Sequence, residues 1–538
     1  MQQQCTKAHL IIEGVRQLYL LTSHLLLWRI GNYKIPIPHF LIFDLHFLMT
    51  PSYLMSSLSS IPQIMQQAST AFDTYRSVSP LRRADFLEAI AARLEAAGDD
   101  LLALTSSETN LPVPRLRGEM ARTWFQLRLY ASLLREGHWV NAIIDHAKPG
   151  KTPPAPDLRS MHIPIGPVVV FGASNFPYAF STAGGDSASA LAAGCPVVVK
   201  QHPGHAETSS RVFDLMREVA EQLGMPAHVV QHVADEGFAT GKALVQHPAT
   251  AAVGFTGSHA GGMALQGYAQ ERKHPIPVFA EMGSVNPVLL LPGALDDDAK
   301  GLAEKYAGSI TLGMGQFCTN PGLLLGVESL ALDYFAQHLA DEVQKFEEGP
   351  MLHKGIEKAY LQKLKSALEQ KGISILTGES GNEKPVACIA RVDAETFLAN
   401  PLLHEEIFGP YSLLVVCKNA EELHACRKAL GGQITTTIMG TNEDLAAHPQ
   451  LVETALQLAG RVVFNGVPTG VEVTGAMVHG GPQPACTDSR FTAVGPMAIY
   501  RWTRPVSWQN APQQVLPPEL QDDNPLGIWR RVNGKWMQ

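Results

Sequence analysis

Four short, mostly apolar runs alternate with helical patterns and constrain the fold more than any other feature of this chain. They lie at residues 168–171, 196–200, 229–233 and 251–255, and the segments 184–193 and 206–223 between them have the composition of helices. Strands that are apolar on both faces and are joined by helices form a parallel sheet with helices on both sides. The sequence therefore predicts an α/β fold with a Rossmann-like, doubly wound sheet.

The chain before these runs has a different sequence pattern. Residues 64–75, 80–97 and 115–136 show helical periodicity, and a proline-rich passage follows at 148–156. In residues 1–60 the longest apolar run, 17–28, is shorter than the ~20 residues that span a bilayer. The order of segments that marks a secretory signal is also missing there. We interpret residues 1–60 as a poorly ordered extension, with Met49 or Met55 as alternative starts.

Length and charge limit the classes of function. A chain of 538 residues predicts two or three domains. A net charge of -8 without a dense run of Lys and Arg argues against nucleic-acid binding. The 7 cysteines form no CxxC pair, which favours a reducing compartment, so we expect a cytoplasmic protein without a membrane partner.

Two patterns resemble metal ligands, and each has a simpler interpretation. The acidic run 296–298 precedes a helical pattern, where carboxylates stabilise a helix N-terminus. His228 and His232 have ligand-like spacing but lie in a strand-like segment, where the two rings need not share a face. We predict no metal site.

Cys318 and Glu281 are the candidate catalytic pair. Cys318 lies in a segment of small, polar residues and glycines, a composition that predicts a loop with exposed backbone. The other cysteines have ordinary apolar or surface surroundings. A free cysteine is more often a small core residue than a nucleophile. A thiolate can nevertheless attack a carbonyl, and a carboxylate can activate the water that hydrolyses the resulting thioester.

A glycine turn closes the fourth predicted strand. Residues 255–258 end this strand, and Gly262 stands where a helix opens. Backbone amides at such a turn can hold a pyrophosphate, with Ser258 adding a hydroxyl. The full dinucleotide fingerprint is absent, so an ordinary turn stays an open alternative, as does a solvated role for Lys200 at the end of the second strand.

Taken together, these segments resemble the NAD(P)-dependent aldehyde dehydrogenase superfamily. The resemblance covers residues ~60 to ~510 and rests on motifs in the family's order. The motifs are Ser174-Asn175-Phe176-Pro177, the strand end at Lys200, Phe255-Thr256-Gly257-Ser258, the Glu281 segment, the Cys318 loop and Glu405-Glu406-Ile407-Phe408-Gly409-Pro410.

The resemblance implies a role for each matching residue. Cys318 matches the nucleophile, Glu281 the general base and Asn175 the amide that stabilises the oxyanion. The matching cofactor-binding residues, for NAD or NADP, are Lys200, His202, Phe255, Gly257, Ser258, Gly262, Gly283, Glu406 and Phe408.

Further segments look like those of the 2-oxoglutarate semialdehyde dehydrogenases. They include residues 161–167, 171–177, 183–186, 316–322, 487–490 and 524–530. This resemblance implies oxidation of the semialdehyde to 2-oxoglutarate. Phe176 and Phe317 could wall the aldehyde channel, and Arg490 could bind the carboxylate, although a structural arginine is an equal alternative. Another semialdehyde as substrate and a cysteine-dependent esterase are the alternative functions.

Three positions depart from the family pattern. Pro203 stands where many members carry the glutamate that favours NAD, so NADP should be accepted at least as well, and His202 could contact its phosphate. Gly283 is followed by Ser284 in place of a second glycine. The family's N-terminal strands are not recognisable in residues 1–60.

The implied organisation has a cofactor domain at 61–283, interrupted by a bridging strand near 148–166, and a catalytic domain at 284–485. Residues 486–538 would return to the cofactor domain and a bridging arm. The arm would pair strands near residues 157–164 and 498–503 and join subunits. We therefore expect a homodimer or homotetramer.

Overall fold

The computed structural model describes residues 28–30, 33–35, 58–234, 237–377 and 384–538. The chain divides into two compact units, Met1–Leu54 and Met55–Gln538. In the first, strands β1 (Trp28–Ile30) and β2 (Tyr33–Ile35) pair antiparallel. The predicted poorly ordered extension lies mostly outside the described residues.

The second unit opens with a run of helices: α1 (Ile61–Tyr75), α2 (Pro80–Glu95), α3 (Gly98–Thr109) and α4 (Val113–Glu136). The Ser79 side chain caps α2 by accepting from the Arg82 amide at 3.4 Å. Gly137, at φ 74°, ends α4 in the left-handed conformation that glycine adopts without strain. Helix α3 was not predicted, because its short apolar pattern includes buried Thr105 and Thr109.

Two bridging strands and the first large sheet follow. The elements are β3 (Ile143–Asp145), β4 (Leu158–Pro164), β5 (Val168–Phe171), α5 (Gly185–Ala193), β6 (Val197–Lys200), α6 (Ala206–Gln222), β7 (Val230–Val233), α7 (Phe238–Gln246), β8 (Ala252–Thr256), α8 (His259–Gln270) and β9 (Val278–Glu281). The sheet has the order β7-β6-β5-β8-β9, and all of these pairs are parallel. The predicted doubly wound α/β fold is confirmed. The strand order reverses between β5 and β8, where a crevice opens at the carboxyl ends of the strands.

The second large sheet is built from later elements in the order β12-β13-β14-β11-β10-β15-β16. Its strands and helices are β10 (Val288–Leu290), α9 (Pro292–Thr311), β11 (Leu323–Val327), α10 (Leu330–Gln344), α11 (Lys354–Leu368), β12 (Ser374–Ile375), β13 (Cys388–Asp393), α12 (Ala394–Ala399), β14 (Tyr411–Cys417), α13 (Ala420–Ala429), β15 (Gln433–Met439), α14 (Asn442–Ala447), α15 (Pro449–Leu458) and β16 (Ala459–Phe464). Only the edge strand β12 pairs antiparallel. Leu289 and Leu325, on neighbouring strands, are fully buried in its core.

The acidic run 296–298 lies inside α9, which begins earlier than its sequence indicated. Asp298 has non-helical backbone angles, and its carboxylate accepts from the Gly301 amide at 2.9 Å. The carboxylate therefore caps the second half of a kinked helix. His232 shares a hydrogen bond of 2.9 Å with Ser209 on α6.

A third sheet joins the bridging strands to the C-terminal segment. Strands β17 (Thr503–Gln509), β18 (Arg530–Val532) and β19 (Lys535–Met537) complete the order β17-β4-β3-β18-β19. The strand predicted at 498–503 is wrong for most of its length, because Pro496–Trp502 is a 3-10 helix and β17 begins at Thr503. Its apolar side chains serve burial: the Trp502 indole is fully buried and donates to Ser189 Oγ at 2.7 Å.

The predicted domain boundaries at 283 and 485 remain predictions. The first large sheet ends at Glu281, and the second begins at Val288. Among the described residues, no helix is both long and apolar enough to cross a bilayer.

Candidate active site

Three loops bring the predicted catalytic side chains to one cavity of about 250 Å³. Asn175 follows β5, Glu281 ends β9, and Cys318 lies in the loop between α9 and β11. All three line the cavity. Asn175 and Glu281 therefore come from the carboxyl end of the first sheet, and Cys318 comes from the segment that leads into the second.

The Cys318 loop is held by backbone contacts that leave little freedom. Gly315 has φ 62°, and a side chain there would collide with the Gly409 carbonyl. The side-chain Nδ2 of Asn286 donates to the backbone carbonyl oxygens of Cys318 and Asn320, both at 2.9 Å. Because Asn286 is itself fully buried, these bonds fix the position of the sulfur.

Asn175 lies against this loop. Its Nδ2 donates to the Gln316 carbonyl at 3.1 Å, and its own backbone carbonyl accepts from Arg115 at 2.8 Å. The amide is therefore held two residues from the sulfur. From there it can be offered to an oxyanion on a carbon bound to Cys318.

His479 completes the reactive cluster, and sequence reasoning missed it. Its Nε2 lies 3.0 Å from a carboxylate oxygen of Glu281 and 3.5 Å from Sγ of Cys318. The ring is 1% exposed. Of the described residues, only these three offer ligand atoms grouped closely enough to hold a metal ion, all within 4.8 Å of one another. The predicted absence of a metal remains a prediction. A single histidine before a glycine pair gave no local signal of this role.

The cluster pushes the pKa values of its thiol and its carboxyl in opposite directions. Burial raises the pKa of the Cys318 thiol well above its usual value, and the neighbouring Glu281 raises it further. Burial also raises the pKa of Glu281, but His479 and the Cys318 thiol more than offset this, so the pKa of this carboxyl is lowered. The carboxylate is the charged member of the pair, and the thiol keeps its proton.

The predicted pyrophosphate turn forms one wall of the same cavity. Thr256, Gly257 and Ser258 line it, and Ser258 caps α8 by accepting from the Gly261 amide at 3.2 Å. At Gly262 a Cβ would come within 2.6 Å of the Met282 sulfur. Glycine at this position therefore lets α8 pack closely on the strand that carries Ala280. The N-terminus of α8 follows the cavity-lining residue Ser258, and a helix N-terminus suits a phosphate group.

Glu406 and Phe408 line the opposite wall. Burial raises the pKa of Glu406 to about 7, against the lowering effect of a hydrogen bond from the Ser284 amide. Gly283 allows this carboxylate to approach, because a side chain at Gly283 would collide with Glu406. A buried acceptor, an aromatic ring and a phosphate-binding turn in one cavity fit a nicotinamide dinucleotide.

The remaining predicted cofactor residues, Lys200, His202 and Phe255, are not among the residues that line the cavity. Lys200 is buried at the end of β6. Phe255 packs under the turn, with its ring 6.3 Å from that of Phe171. His202 Nδ1 accepts from the Gly204 amide at 3.0 Å, and burial lowers the pKa of His202 to about 3. His202 therefore offers a neutral ring, not a cation.

Of the predicted substrate residues, two come together and the third does not. The rings of Phe176 and Phe317 have centroids 5.8 Å apart and meet edge to face. The Arg490 side chain is 78% exposed and pairs with Asp488 at 2.6 Å. None of these three residues is among those that line the cavity. Phe176 and Phe317 adjoin the catalytic residues Asn175 and Cys318 in the chain, whereas Arg490 lies in solvent with Asp488.

Two arginines on α4 lie beside these rings instead. The Arg115 guanidinium is 4.7 Å from the Phe317 ring centre, and that of Arg122 is 5.4 Å from the Phe180 ring centre. Nη1 of Arg115 and Nε and Nη2 of Arg122 are buried without a hydrogen-bond partner among the described residues. Burial lowers the pKa of Arg122, and the nearby Cys318 and Glu119 act against this. Both arginines looked like ordinary surface charges of a helix in the sequence.

Comparisons with known proteins agree with this geometry. Residues 53–488 match the model of the aldehyde dehydrogenase family. The chain is 46% identical over 489 residues to alpha-ketoglutaric semialdehyde dehydrogenase 2 of Azospirillum brasilense, covering 90% of this chain and 93% of that protein. It is 44% identical to alpha-ketoglutaric semialdehyde dehydrogenase of Acinetobacter baylyi, with the same coverage. The solved structure of PnpE in complex with nicotinamide adenine dinucleotide superposes with a TM-score of 0.71 at 21% identity, covering 84% of this chain and 90% of that chain.

Proposed function

Because the chain belongs to the aldehyde dehydrogenase family, an NAD(P)-dependent family that oxidises aldehydes through a cysteine, we propose that its substrate is 2-oxoglutarate semialdehyde and its product 2-oxoglutarate. The names of the two relatives that are 46% and 44% identical support this substrate. The observation that carries the proposal is one cavity that contains Cys318, Glu281 and Asn175 and is also lined by Ser258, Glu406 and Phe408.

The protein's side chains would divide the reaction between them. The Cys318 thiolate attacks the aldehyde carbon, and Asn175 Nδ2 and the Cys318 amide donate to the oxyanion that forms. NAD(P)+, when bound, supplies the acceptor for the hydride that leaves this carbon. Glu281 then takes a proton from water, which hydrolyses the thioester and releases the acid.

Each proposed cofactor residue would have its own part of the dinucleotide to hold. Ser258 and the α8 amides would bind the pyrophosphate, and Lys200 and His202 the adenosine ribose. A side chain at Gly257 would collide with Phe255, and one at Gly262 with Met282, so both glycines allow the close packing that positions the turn and α8 for the phosphates. Glu406 would accept from the nicotinamide ribose, Phe408 would pack beside the ring, and Gly283 leaves room for Glu406.

We expect NADP to be used at least as well as NAD. Pro203 carries no carboxylate that would repel a 2'-phosphate. The neutral His202 ring can donate a hydrogen bond to that phosphate but adds no charge. The ratio of kcat/KM for the two cofactors, measured with one aldehyde, tests this expectation.

Arg122 and Arg115 support a substrate with a carboxylate at its far end. Arg115 contacts the rings of Phe176 and Phe317, and Arg122 contacts that of Phe180. Arg115 also donates to the carbonyl of the catalytic residue Asn175. A guanidinium binds a carboxylate with two parallel hydrogen bonds, and burial strengthens that attraction. Exposed Arg490, already paired with Asp488, has neither advantage.

The test is a set of initial rates with 2-oxoglutarate semialdehyde and a neutral aldehyde of similar length, using both cofactors. The Arg122→Met variant should lose at least about tenfold in kcat/KM for the semialdehyde and much less for the neutral aldehyde. Arg490→Met is the matched comparison and should change neither rate by more than about twofold. Equal rates on both aldehydes in the parent protein would refute the carboxylated substrate.

A cysteine-dependent esterase on the same scaffold is the alternative function. Such an enzyme would use Cys318 and Glu281 but would have no use for Lys200, Glu406 or Phe408. The absorbance of reduced nicotinamide separates the two, because the esterase would release acid without changing the cofactor.

The oligomeric state and the cellular compartment of the protein remain predictions from the sequence. Strand β17 forms one edge of the third sheet, which makes it the candidate strand for pairing subunits into a dimer or tetramer. Light scattering of the purified protein measures this state. The cytoplasm remains the expected compartment, from the pattern of cysteines.

A further inference from the structure

We propose that His479 is a fourth catalytic residue, beside Cys318, Glu281 and Asn175: Nε2 takes the proton from the Cys318 thiol, and the resulting imidazolium holds the thiolate beside the Glu281 carboxylate. The inference rests on the proposed function, because it concerns the activation of the same nucleophile.

The geometry allows direct proton transfer. Nε2 lies 3.5 Å from Sγ and 3.0 Å from the Glu281 carboxylate, so one nitrogen faces both partners. In the neutral Nδ1–H tautomer the lone pair of Nε2 accepts the thiol proton, and only after this transfer does Nε2–H donate to the carboxylate. The His479 amide donates to Thr492 Oγ1 at 2.9 Å, and that hydroxyl bonds the Val494 carbonyl at 2.9 Å. The ring is buried and lies 6.1 Å from the Phe180 ring. His479 is therefore held with its nitrogen toward the reacting atoms.

The charges in the cluster require a group that can become a cation between the Cys318 sulfur and the Glu281 carboxylate. A thiolate made at Cys318 would face the Glu281 carboxylate within 4.8 Å, and the two negative charges repel. This repulsion and burial are what raise the pKa of the thiol. An imidazolium between the two anions attracts both, so it offsets the repulsion while leaving Glu281 ionised for its later step.

No other group that acts on the cluster can replace the imidazole. Arg122 and Arg461 act on Cys318, and Arg501 acts on Glu281, but guanidinium groups do not accept a proton at neutral pH. Glu406 adds negative charge. Among the described residues that act on the sulfur, His479 and Glu281 alone can take the proton and touch it, and Glu281 is needed for water.

The protons and electron pairs balance over one cycle. The S–H proton moves to Nε2, the sulfur pair forms the C–S bond, and the carbonyl π pair moves to oxygen. That pair re-forms the carbonyl as the hydride leaves with its electrons to the oxidised cofactor. Glu281 takes a proton from water, hydroxide adds to the thioester, and the C–S bond breaks with its pair on sulfur. The imidazolium then returns its proton to sulfur, and Glu281 releases its own to solvent.

Alkylation of Cys318 by iodoacetamide tests the proposal without aldehyde or cofactor. The full chain is treated over a range of pH, and modified Cys318 is quantified by peptide mass spectrometry, with Cys318→Ala as the blank. At about pH 7 the His479→Gln variant should react at least tenfold more slowly than the parent. The difference in alkylation rate between the variant and the parent should become smaller at alkaline pH, where hydroxide removes the thiol proton. The exposed His274→Gln variant is the control and should match the parent. Equal rates in His479→Gln and parent at all pH values would overturn the proposal.

Two further readouts keep the outcome decisive. If His479→Gln does not fold, as judged by circular dichroism, His479→Phe retains the ring volume beside Phe180 and should show the same slow alkylation. A parent protein that shows His479-dependent alkylation but oxidises no aldehyde would refute the proposed function and not this inference.

Discussion

At the scale of single residues, the site works by separating the charge states of neighbouring groups. Glu281 and Cys318 lie in one buried cluster, yet the pKa of the carboxyl is lowered and that of the thiol is raised. The carboxylate is thus ready to act as a base, while the thiol has to be deprotonated by a partner. The separation assigns Glu281 to the hydrolytic half of the reaction and not to the attack.

This assignment predicts the behaviour of Glu281→Gln. The variant should still form the thioester and reduce about one equivalent of cofactor, but its turnover should fall about 100- to 10,000-fold because no base activates water. Rapid-mixing absorbance shows the burst, and intact-protein mass spectrometry shows the acyl adduct on Cys318. The exposed Glu304→Gln variant is the control. Loss of the burst together with turnover would mean that Glu281 acts before hydride transfer.

Glu406 predicts a pH dependence of cofactor binding. Its pKa is raised to about 7, so the carboxylate that can accept from ribose hydroxyls forms only as the pH rises through that value. The cofactor KM should therefore fall several-fold between about pH 6 and pH 8. Steady-state titrations of NADP and NAD measure this change. In Glu406→Gln the KM should be higher and independent of pH over this range, and a pH-dependent KM in that variant would assign the effect to another group.

At the scale of elements, the strands and helices bring the reactive side chains close together, and the loops fix their exact positions. In the Cys318 loop, Gly315 lies close to the Gly409 carbonyl. Asn286, in the segment before β10, donates a hydrogen bond to the Cys318 carbonyl. Helix α4 adds Arg115 and Arg122 from one side. The site therefore depends on how separate elements pack.

Gly315→Ala should harm activity more than its cost in stability indicates. The left-handed φ costs alanine about 1 kcal/mol or more, and the added methyl group displaces the Gly409 carbonyl or the Cys318 loop. Denaturant unfolding and kcat measure the two effects. Gly118→Ala is the matched control, because Gly118 lies exposed within α4 with open space around it. That substitution should raise stability by about 0.5–1 kcal/mol and leave kcat unchanged. Normal turnover in Gly315→Ala would show that the loop tolerates the shift.

At the scale of the whole molecule, the C-terminal segment returns to the first sheet and ties it to the bridging arm. The Arg501 guanidinium pairs with the Asp186 carboxylate at 2.7 Å, and both residues are buried. Trp502 fills the space beside them. Residues far apart in sequence thus share one ion pair under the site.

Breaking this pair should destabilise the molecule strongly. Arg501→Met leaves the Asp186 carboxylate buried without its cation, which costs about 3–5 kcal/mol. The double variant Arg501→Met with Asp186→Leu should recover much of that loss, because no uncompensated charge remains. Arg391→Met, which breaks a half-exposed pair with Asp333, is the control and should cost less than about 1 kcal/mol. Thermal and denaturant unfolding measure these differences, and equal losses in the two single variants would show that burial does not decide the strength of the pair.

The sequence by itself determined the fold class and the main chemical participants. Apolar runs such as 168–171 specify buried parallel strands through local composition, and the segments around Cys318, Glu281 and Glu406 carry their chemistry in contiguous residues. The 3-10 helix Pro496–Trp502 escaped this reasoning, because an alternating apolar pattern also suits a segment that turns to bury its side chains.

Only the tertiary structure decided which side chains meet. His479 stands 161 residues from Cys318 in the chain, and Arg122 looks like any charge on a helix. Their contacts depend on the packing of distant elements, which no local pattern encodes. The same packing leaves Arg490 in solvent, paired with Asp488. The charge of Arg490 is therefore compensated by Asp488 and screened by solvent far more than the charge of a buried arginine would be. Local sequence sets what each residue can do, and burial and proximity decide what it can do to its neighbours.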